Sequence, residues 1–332
     1  MSSSTSILSV KDLVVSFETE DGKVEVLNRI GFTLNRGESL GLVGESGCGK
    51  SVAAFSILRL LPQPSGNIDD GVIDYDGKNL LSLPIEEMHN IRGRKIAMIF
   101  QEPMTALNPV HRIGKQIGEV YRLHFPEMSE EDIKQASIDI LKKVAIPAPE
   151  KRLNEYPHQL SGGMRQRAMI AMALACKPDI LIADEPTTAL DVTTQNQILK
   201  LIQDLQQEIG MSVLFITHDL GVIAETCDRV IVMYAGCIVE EAPVRDLFKA
   251  PKHPYTRGLL NSIPILETES KSELQTIPGM VPSLRDLPSG CRFRTRCEFA
   301  TSACSETEPQ IEAINDDPSH RVACHRWREL AE

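Results

Sequence analysis

The segment Gly44-Glu45-Ser46-Gly47-Cys48-Gly49-Lys50-Ser51 has the residue types and spacing of a phosphate-binding loop. Its glycines let successive backbone N–H groups turn toward one anion. Lys50 is expected to reach the β- and γ-phosphates of a nucleoside triphosphate, and the Ser51 hydroxyl is expected to ligate Mg²⁺. Cys48 fills a variable position of the loop, and we interpret it as a tolerated small residue rather than a redox switch.

Two carboxylates, Asp184 and Glu185, end an apolar run that begins at Ile180. A carboxylate that follows a buried strand is a common Mg²⁺ ligand in proteins that hydrolyse nucleoside triphosphates. Between the phosphate loop and this acidic pair stands Leu160-Ser161-Gly162-Gly163-Met164, whose serine and glycines are predicted to open a helix. The three segments in this order are more specific than a phosphate loop alone, which indicates only that a nucleotide is bound.

The elements that must position these residues can be predicted from the hydrophobic pattern. Alternation predicts half-buried strands at 9–17 and 24–34, with Asp21-Gly22 as the turn between them. A short apolar strand at 39–43 precedes the phosphate loop, and a helix is predicted at about 51–61. This strand, loop and helix are the context that a phosphate loop requires.

The rest of the main domain predicts a mainly parallel sheet with a helical insertion. Strand signals fade between about 103 and 175, where helical patterns such as 130–144 dominate. Strands alternating with helices indicate parallel pairing. The predicted strands are 96–100, 180–183, 213–217 and 230–234, with a helix at 193–209.

Bulk composition limits the class of protein. The chain has 332 residues, of which 24% are charged and 42% hydrophobic, as in an ordinary globular protein with one large domain and an appendage. A net charge of -11 argues against a general nucleic-acid binder. The pattern contains no apolar run of membrane-spanning length and no N-terminal signal peptide, so we expect a cytosolic protein that reaches a membrane only through a partner.

The order of these motifs resembles the ATP-binding cassette (ABC) family from about Ile7 to about Tyr255. The resemblance implies an α/β, ABC-type P-loop ATPase with a mainly parallel core sheet, an antiparallel β subdomain, a helical insertion subdomain and a small C-terminal extension. It divides the chain into an ATP-binding domain at 7–250, with its helical subdomain at about 103–175, and an extension at 251–332. ATP and Mg²⁺ are the implied cofactors.

The same resemblance implies a role for each site residue. Glu185 matches the catalytic glutamate that polarises the attacking water, Gln101 the glutamine that touches Mg²⁺ and this water, and His218 the histidine that contacts the γ-phosphate. Asp184 and Ser51 match the Mg²⁺ ligands. The remaining ATP-binding positions are Phe17 against the adenine, Asp191 at the dimer interface, the phosphate loop from Gly44 to Ser51, and Ser161, Gly162 and Gly163 against ATP held by another subunit. Met164 departs from the glutamine that is commonest in the family.

The tail begins near Pro251, is rich in proline and holds four clustered cysteines. The segments His253-Pro254-Tyr255-Thr256-Arg257, 102–109 and Tyr156-Pro157-His158-Gln159 resemble the oligopeptide/dipeptide branch of ABC importers, which also includes nickel and glutathione systems. Reducing surroundings favour a metal over disulfides. The resemblance implies a 4Fe–4S cluster on Cys291, Cys297, Cys304 and Cys324, with zinc or unliganded thiols as the alternatives. Any such centre is expected to stabilise the fold of the tail rather than to take part in catalysis. His325, which follows Cys324, is not expected to be a ligand.

Together these features predict the ATP-hydrolysing, energy-coupling subunit of a bacterial importer for dipeptides or oligopeptides, peripheral on the cytoplasmic face of the inner membrane. Its implied partners are a second ABC ATPase subunit, identical or similar, two permease subunits docked on the helical region, and a separate solute-binding protein. Alternatives are an importer for nickel or glutathione, and a soluble ABC ATPase outside transport. A P-loop kinase is disfavoured by Ser161–Gly163 and His218. The sequence does not identify the solute.

Overall fold

The computed structural model describes residues 6–101, 106–188, 190–263 and 276–330. In chain order its elements are β1 (Ser6–Thr19), β2 (Gly22–Asn35), β3 (Ser39–Val43), α1 (Lys50–Ile57), β4 (Gly66–Tyr75), β5 (Lys78–Asn79), α2 (Ile85–Ile91), β6 (Ile96–Ile99), α3 (Ile113–His124), α4 (Glu130–Lys143), α5 (Pro149–Arg152), α6 (Gly162–Leu174), β7 (Ile180–Asp184), α7 (Val192–Ile209), β8 (Ser212–Thr217), α8 (Leu220–Thr226), β9 (Arg229–Tyr234), β10 (Cys237–Pro243), α9 (Val244–Lys249), α10 (Pro254–Asn261), α11 (Ala303–Glu306), β11 (Glu312–Ile314) and β12 (Asp317–Val322). Single 3₁₀ turns lie at Leu80–Ser82 and Pro157–Gln159.

The chain forms two compact units. The first, here called the helical unit, contains 35–38 and 82–214. The second, here called the loop unit, contains the described parts of 5–34, 39–81 and 215–332. Strand β8 begins in the helical unit and ends in the loop unit. None of the helices in the described part of the chain combines the length and apolar character that a membrane span requires.

The loop unit contains a four-stranded sheet in the order β2-β1-β4-β5. β1 and β4 pair antiparallel, and their alternation buries one face, with Leu8, Val10 and Ile73 in the core. This sheet confirms the antiparallel strands predicted at 9–17 and 24–34, although both strands are longer. β4 was not predicted, because the acidic stretch Asp69-Asp70-Gly71 breaks its apolar alternation.

A second set of strands in the loop unit has the order β11-β12-β10-β9-β3. β3 and β9 are parallel, and their residues are buried. β9 and β10 form an antiparallel hairpin, and β10 pairs with β12, which pairs with β11. The proline-rich tail therefore adds a hairpin to the strands of the ATP-binding region, where Val322 and Trp327 are buried, instead of lacking regular structure.

The helical unit combines the strands β8-β7-β6 with the helices of the insertion. β6 and β7 are parallel and fully buried, which fits the near-continuous apolar runs at 96–99 and 180–183. α4 packs against α3, α5 and α6 through an apolar face. It begins after Ser129, whose hydroxyl accepts the Asp132 N–H, and it confirms the helix predicted at 130–144.

Helix α1 is shorter than predicted. It ends at Ile57 rather than Leu61, and Arg59 adopts a left-handed backbone conformation with φ 51°. Pro62 and Pro64 follow closely, and proline cannot supply the N–H that a continuing helix needs. The apolar periodicity of 51–61 continues past Ile57 and therefore did not indicate that the helix ends there.

Candidate functional site

The phosphate loop lies in the loop unit between β3 and α1 and depends on glycine at two points. Gly44 has φ 154°, and a Cβ atom there would lie 2.2 Å from the Met233 carbonyl oxygen. Gly49 has φ 102° and is the N-cap of α1. Only glycine adopts these conformations without strain. The first-turn N–H groups of α1 have no acceptor within the helix itself, and a loop followed by such a helix N-terminus is the arrangement that can bind phosphate.

Lys50 is the first residue of α1 and is 6% exposed. Its Nζ atom donates to the carbonyl oxygens of Gly44 (2.8 Å) and Glu45 (3.1 Å), so the ammonium group lies inside the loop. Ser51 follows it and is partly exposed, as are Glu45, Ser46 and Gly47 to differing degrees. The Cys48 thiol is 1% exposed, and burial raises its pKa, which fits a packing residue better than a reactive one.

Two further residues of the loop unit were assigned to the ATP site. Phe17 lies near the end of β1, opposite Gly66, and is half-buried. His218 follows β8 and is exposed. The next residue, Asp219, caps α8 by accepting the Gly221 N–H at 2.8 Å. Both assigned side chains thus stand at strand ends, and their roles toward ATP stay predictions.

The helical unit holds the acidic pair and its glutamine together. Asp184 ends β7 and is 2% exposed. Glu185 follows with φ 45°, a conformation that costs energy for a residue other than glycine. Its Oε2 atom accepts hydrogen bonds from Gln101 Nε2 (3.0 Å) and from the Thr188 hydroxyl (2.8 Å). The left-handed backbone turns the Glu185 carboxylate out of the strand direction, and the two donors fix it.

Two of the assigned residues are helix N-caps in the helical unit. Ser161 caps α6, and its Oγ atom accepts the Met164 N–H at 3.3 Å, so the helix begins at Gly162 as predicted. Asp191 caps α7, and hydrogen bonds from the Thr194 side chain and backbone lower the pKa of its carboxyl. Ser161, Gly162 and Asp191 are exposed. Residues 102–105 of the predicted 102–109 motif, and Ala189 beside Asp191, lie outside the described residues.

The four tail cysteines line one small cavity in the loop unit, together with Phe293, Phe299 and His325. Cys304 is buried and the other three are half-buried. Backbone contact ties the first to the third, because the Cys291 N–H donates to the Cys304 carbonyl at 2.8 Å. His325 Nε2 lies 3.0 Å from the Thr307 carbonyl oxygen, so one of its two ring nitrogens is engaged by the backbone.

The four thiols are chemically suited to a soft metal centre. Burial raises the pKa of Cys291 and Cys324 to about 11, a shift that a cationic centre would reverse by stabilising thiolates. A tetrahedral zinc ion needs all four sulfurs about 2.3 Å from one point. Across the described residues, no three or more His, Cys, Asp or Glu side chains are grouped closely enough to hold a metal ion. The metal centre on the four cysteines therefore stays a prediction.

Sequence reasoning missed the residues that join the tail to the phosphate loop. The Tyr255 hydroxyl accepts the Glu45 N–H at 2.8 Å, and the Arg296 guanidinium donates to both Glu45 carboxylate oxygens. His253 caps α10 by accepting the Tyr255 N–H, and burial lowers the pKa of His253 to about 4. The segment 253–257 was identified only through its resemblance to the family. Its local sequence gave no indication that it contacts the phosphate loop.

The fold and these motifs define an ABC-type ATPase. The family model "ABC transporter" matches residues 27–188, and the model "Oligopeptide/dipeptide transporter, C-terminal region" matches 239–304. A dimeric ATP-binding cassette in a post-hydrolysis state, bound to ADP and Pi, has a TM-score of 0.64 and 29% identity over 72% of this chain and 99% of that one. The cassette cbiO1 of Clostridium perfringens has a TM-score of 0.62 and 27% identity over 74% and 91%.

Sequence relatives cover almost the whole chain. "Probable peptide ABC transporter ATP-binding protein y4tR" of Sinorhizobium fredii is 54% identical over 98% of this chain and 96% of its own. "Oligopeptide transport ATP-binding protein OppD" of Bacillus subtilis is 51% identical over 94% and 87%, and "Dipeptide transport ATP-binding protein DppD" of the same organism is 49% identical over 98% and 96%. This chain belongs to the family of ABC transporter ATP-binding proteins with the oligopeptide/dipeptide C-terminal region.

Proposed function

We propose that this chain is the ATP-hydrolysing, energy-coupling subunit of an importer for dipeptides or oligopeptides. The names of its relatives support the peptide substrate, and the family supports the ATPase chemistry. The observation that carries the enzymatic part is Glu185, which is held by Gln101 and Thr188 directly after the buried Asp184. Nickel and glutathione remain alternative solutes.

The loop unit would bind the triphosphate. The N–H groups at the start of α1 and the Lys50 ammonium bind phosphate oxygens, and the Ser51 hydroxyl is an oxygen ligand of the type that Mg²⁺ prefers. Lys50 must exchange its bonds to the loop carbonyls for phosphate oxygens, so it is already placed where the phosphates arrive. Phe17 would stack on the adenine, and His218 would contact the γ-phosphate.

The helical unit would activate water. Asp184 is buried at a strand end and supplies a carboxylate ligand for Mg²⁺, which when bound neutralises charge on the phosphates. Glu185 accepts a hydrogen bond from the attacking water and so orients and polarises it, while Gln101 keeps the carboxylate in place. Ser161, Gly162 and Gly163 would contact ATP bound by a second subunit, with Asp191 at the same interface.

Transport requires partners. A second ABC ATPase subunit, identical or similar, would complete each ATP site, and two permease subunits would dock on the region 101–159. A separate solute-binding protein would deliver the peptide. The chain would then be peripheral at the cytoplasmic face of the inner membrane. ATP binding would close the two ATPase subunits and turn the permeases outward, and hydrolysis would reset them.

Reconstitution tests the transport function. The chain is co-purified with candidate peptide permeases from the same organism, placed in proteoliposomes and supplied with a labelled tripeptide and a solute-binding protein. ATP-dependent peptide accumulation is expected, and uptake of nickel or glutathione instead would replace the solute. ATPase activity that is stimulated by DNA or ribosomes and indifferent to the permeases would favour a soluble ABC ATPase.

For the tail, we propose that Cys291, Cys297, Cys304 and Cys324 bind a 4Fe–4S cluster that stabilises the folded extension. The shared cavity and the suitability of four thiolates for such a cluster support this centre, and zinc remains the alternative. Protein purified without oxygen should be brown, with about four irons per chain. Stoichiometric zinc without iron would replace the cluster, and an ordered tail without metal would refute both.

A further inference from the structure

Arg296 lies between two of the four cysteines and reaches the phosphate loop. Its Nη1 and Nη2 atoms donate to the Glu45 carboxylate at 2.6 and 3.0 Å, across 251 positions of sequence. The Arg296 side chain is 3% exposed, and that of Glu45 is 31% exposed. A bidentate guanidinium–carboxylate pair of this kind is both strong and geometrically specific.

The surroundings of Arg296 hold its guanidinium in one orientation. It also donates to the carbonyl oxygens of Pro278 (3.1 Å) and Ile277 (3.3 Å). Its Cζ atom lies 5.8 Å from the ring centroid of Tyr234 and 5.9 Å from that of Phe293. Phe293 lies in the same segment between Cys291 and Cys297, so the fold of the cysteine segment sets the position of Arg296.

Glu45 is in turn held at three points. Its N–H donates to the Tyr255 hydroxyl, its carboxylate accepts from Arg296, and its carbonyl accepts from Lys50 Nζ at 3.1 Å. Two of these three partners, Tyr255 and Arg296, lie beyond residue 250. A continuous set of contacts therefore runs from the cysteine segment through Arg296 and Glu45 to the lysine of the phosphate loop.

Charge gives this connection a consequence for ATP. Glu45 places a carboxylate on a loop that must bind a polyanion, and like charges repel one another. Arg296 compensates that charge by pairing with the Glu45 carboxylate. We propose that Arg296 is a positioning residue for ATP, through which the four-cysteine extension sets the affinity of the phosphate loop for nucleotide. The inference rests on Gly44–Ser51 being the ATP-binding loop.

Removing the charge of Arg296 and removing the charge of Glu45 should have different effects on ATP affinity, and this difference can be tested. R296Q leaves an uncompensated carboxylate on the phosphate loop and should weaken binding of a fluorescent ATP analogue by about five- to ten-fold, within the range of coupling between paired side chains. E45Q removes the repelling charge and should bind at least as tightly as the parent. The double variant E45Q/R296Q should regain parental affinity within about two-fold.

A matched control is Arg294, in the same segment, whose guanidinium donates to Ser289 rather than to Glu45. R294Q should bind nucleotide like the parent. If R296Q melts too early for measurement, R296K keeps the positive charge and should fall between the parent and R296Q. Equal affinity in the parent and R296Q, or no recovery in the double variant, would overturn the inference, because a purely structural arginine is not rescued by neutralising Glu45.

Two additional variants complete the test. One checks that Gly44–Ser51 is the ATP-binding loop, and the other checks that the cysteine segment acts through Arg296. K50A should abolish nucleotide binding, and if it does not, the loop assignment fails and the inference fails with it. C297S loosens the segment that carries Arg296, so it should weaken binding in the parent background and leave E45Q unaffected. An equal loss in both backgrounds would show that the extension acts by another route and would overturn the coupling through Arg296.

Discussion

At the scale of single residues, Glu185 combines a costly backbone with a well-ordered carboxylate. Its φ of 45° places it outside the strand that ends at Asp184, and Gln101 and Thr188 both donate to one of its oxygens. Backbone strain of this kind persists where the surrounding structure holds it, often at functional sites. The order of residues in the sequence predicted Glu185 as the base, whereas neither the strained turn nor Thr188 could be predicted.

Changing Glu185 to Gln should therefore separate binding from hydrolysis. The amide retains the size of the side chain and can still interact with Gln101, but it cannot polarise water as a carboxylate does. Hydrolysis in the assembled transporter is expected to fall by about 100-fold or more. Release of Pi measures this change, and the affinity for an ATP analogue should stay within about two-fold of the parent. Hydrolysis at the parental rate would assign the catalytic role elsewhere.

At the scale of elements, two serines cap helices of the same unit and differ in expected function. Ser161 opens α6 and Ser129 opens α4, each by accepting a backbone N–H. Loss of either cap should cost about 1 kcal/mol of stability. Only S161A should also reduce cooperative ATP hydrolysis, because Ser161 is the residue assigned to the opposing nucleotide. Equal ATPase activity in S161A and S129A would reduce Ser161 to a helix cap.

The element that attaches the tail should respond to acid. His253 caps α10 and is buried, and this burial, opposed by Glu240, lowers its pKa from 6.5 to about 4. Between these values the unfolded chain binds more protons, so stability falls as the pH falls from 7 to 5, by about 2 kcal/mol. The thermal midpoint should drop accordingly, and less so in H253N, which keeps a cap acceptor without this titration.

The exposed His89 on α2 provides the control for this experiment. H89N should show the same drop in thermal midpoint between pH 7 and 5 as the parent. If H253N shows it as well, the acid sensitivity originates in other groups. Near and below pH 4.5, the loss of the Glu240 carboxylate adds to the effect. Burial opposes its ionisation, but hydrogen bonds from His320, Thr256 and backbone N–H groups lower its pKa overall.

Local pattern predicted the elements that are built from local sequence. The apolar runs placed β3 at its observed bounds and β7 and β8 to within one residue, the helical pattern placed α4, and the Ser161-Gly162-Gly163 segment placed the start of α6. It missed β10, whose alternation is interrupted by buried charges such as Glu240, and the β11–β12 hairpin, which joins β10 across about eighty positions of sequence. Arg296 was missed for the same reason, since only the folded chain brings it to Glu45.

At the scale of the whole molecule, the helical unit presents apolar side chains that a monomer has no need to expose. Val110 is 73% exposed and Leu123 is 66% exposed. The loop that carries Val110 is fixed by Gln116, whose side chain bonds to both backbone groups of Asn108 and to the His111 carbonyl. A rigid loop with an exposed apolar tip fits docking better than a mobile loop does, since little entropy is lost on binding.

We therefore expect V110D to uncouple the chain from its permeases. Co-expression with the permeases should bring the parent to the membrane fraction, and the aspartate should reduce this recruitment and the permease-stimulated ATPase activity at least ten-fold, because a charge is poorly tolerated in a buried apolar contact. Basal nucleotide binding and the thermal midpoint should not change. Met280, which is 87% exposed in the loop unit, supplies the matched control M280D. Recruitment that is lost equally in both variants, or in neither, would place the permease contact away from Val110.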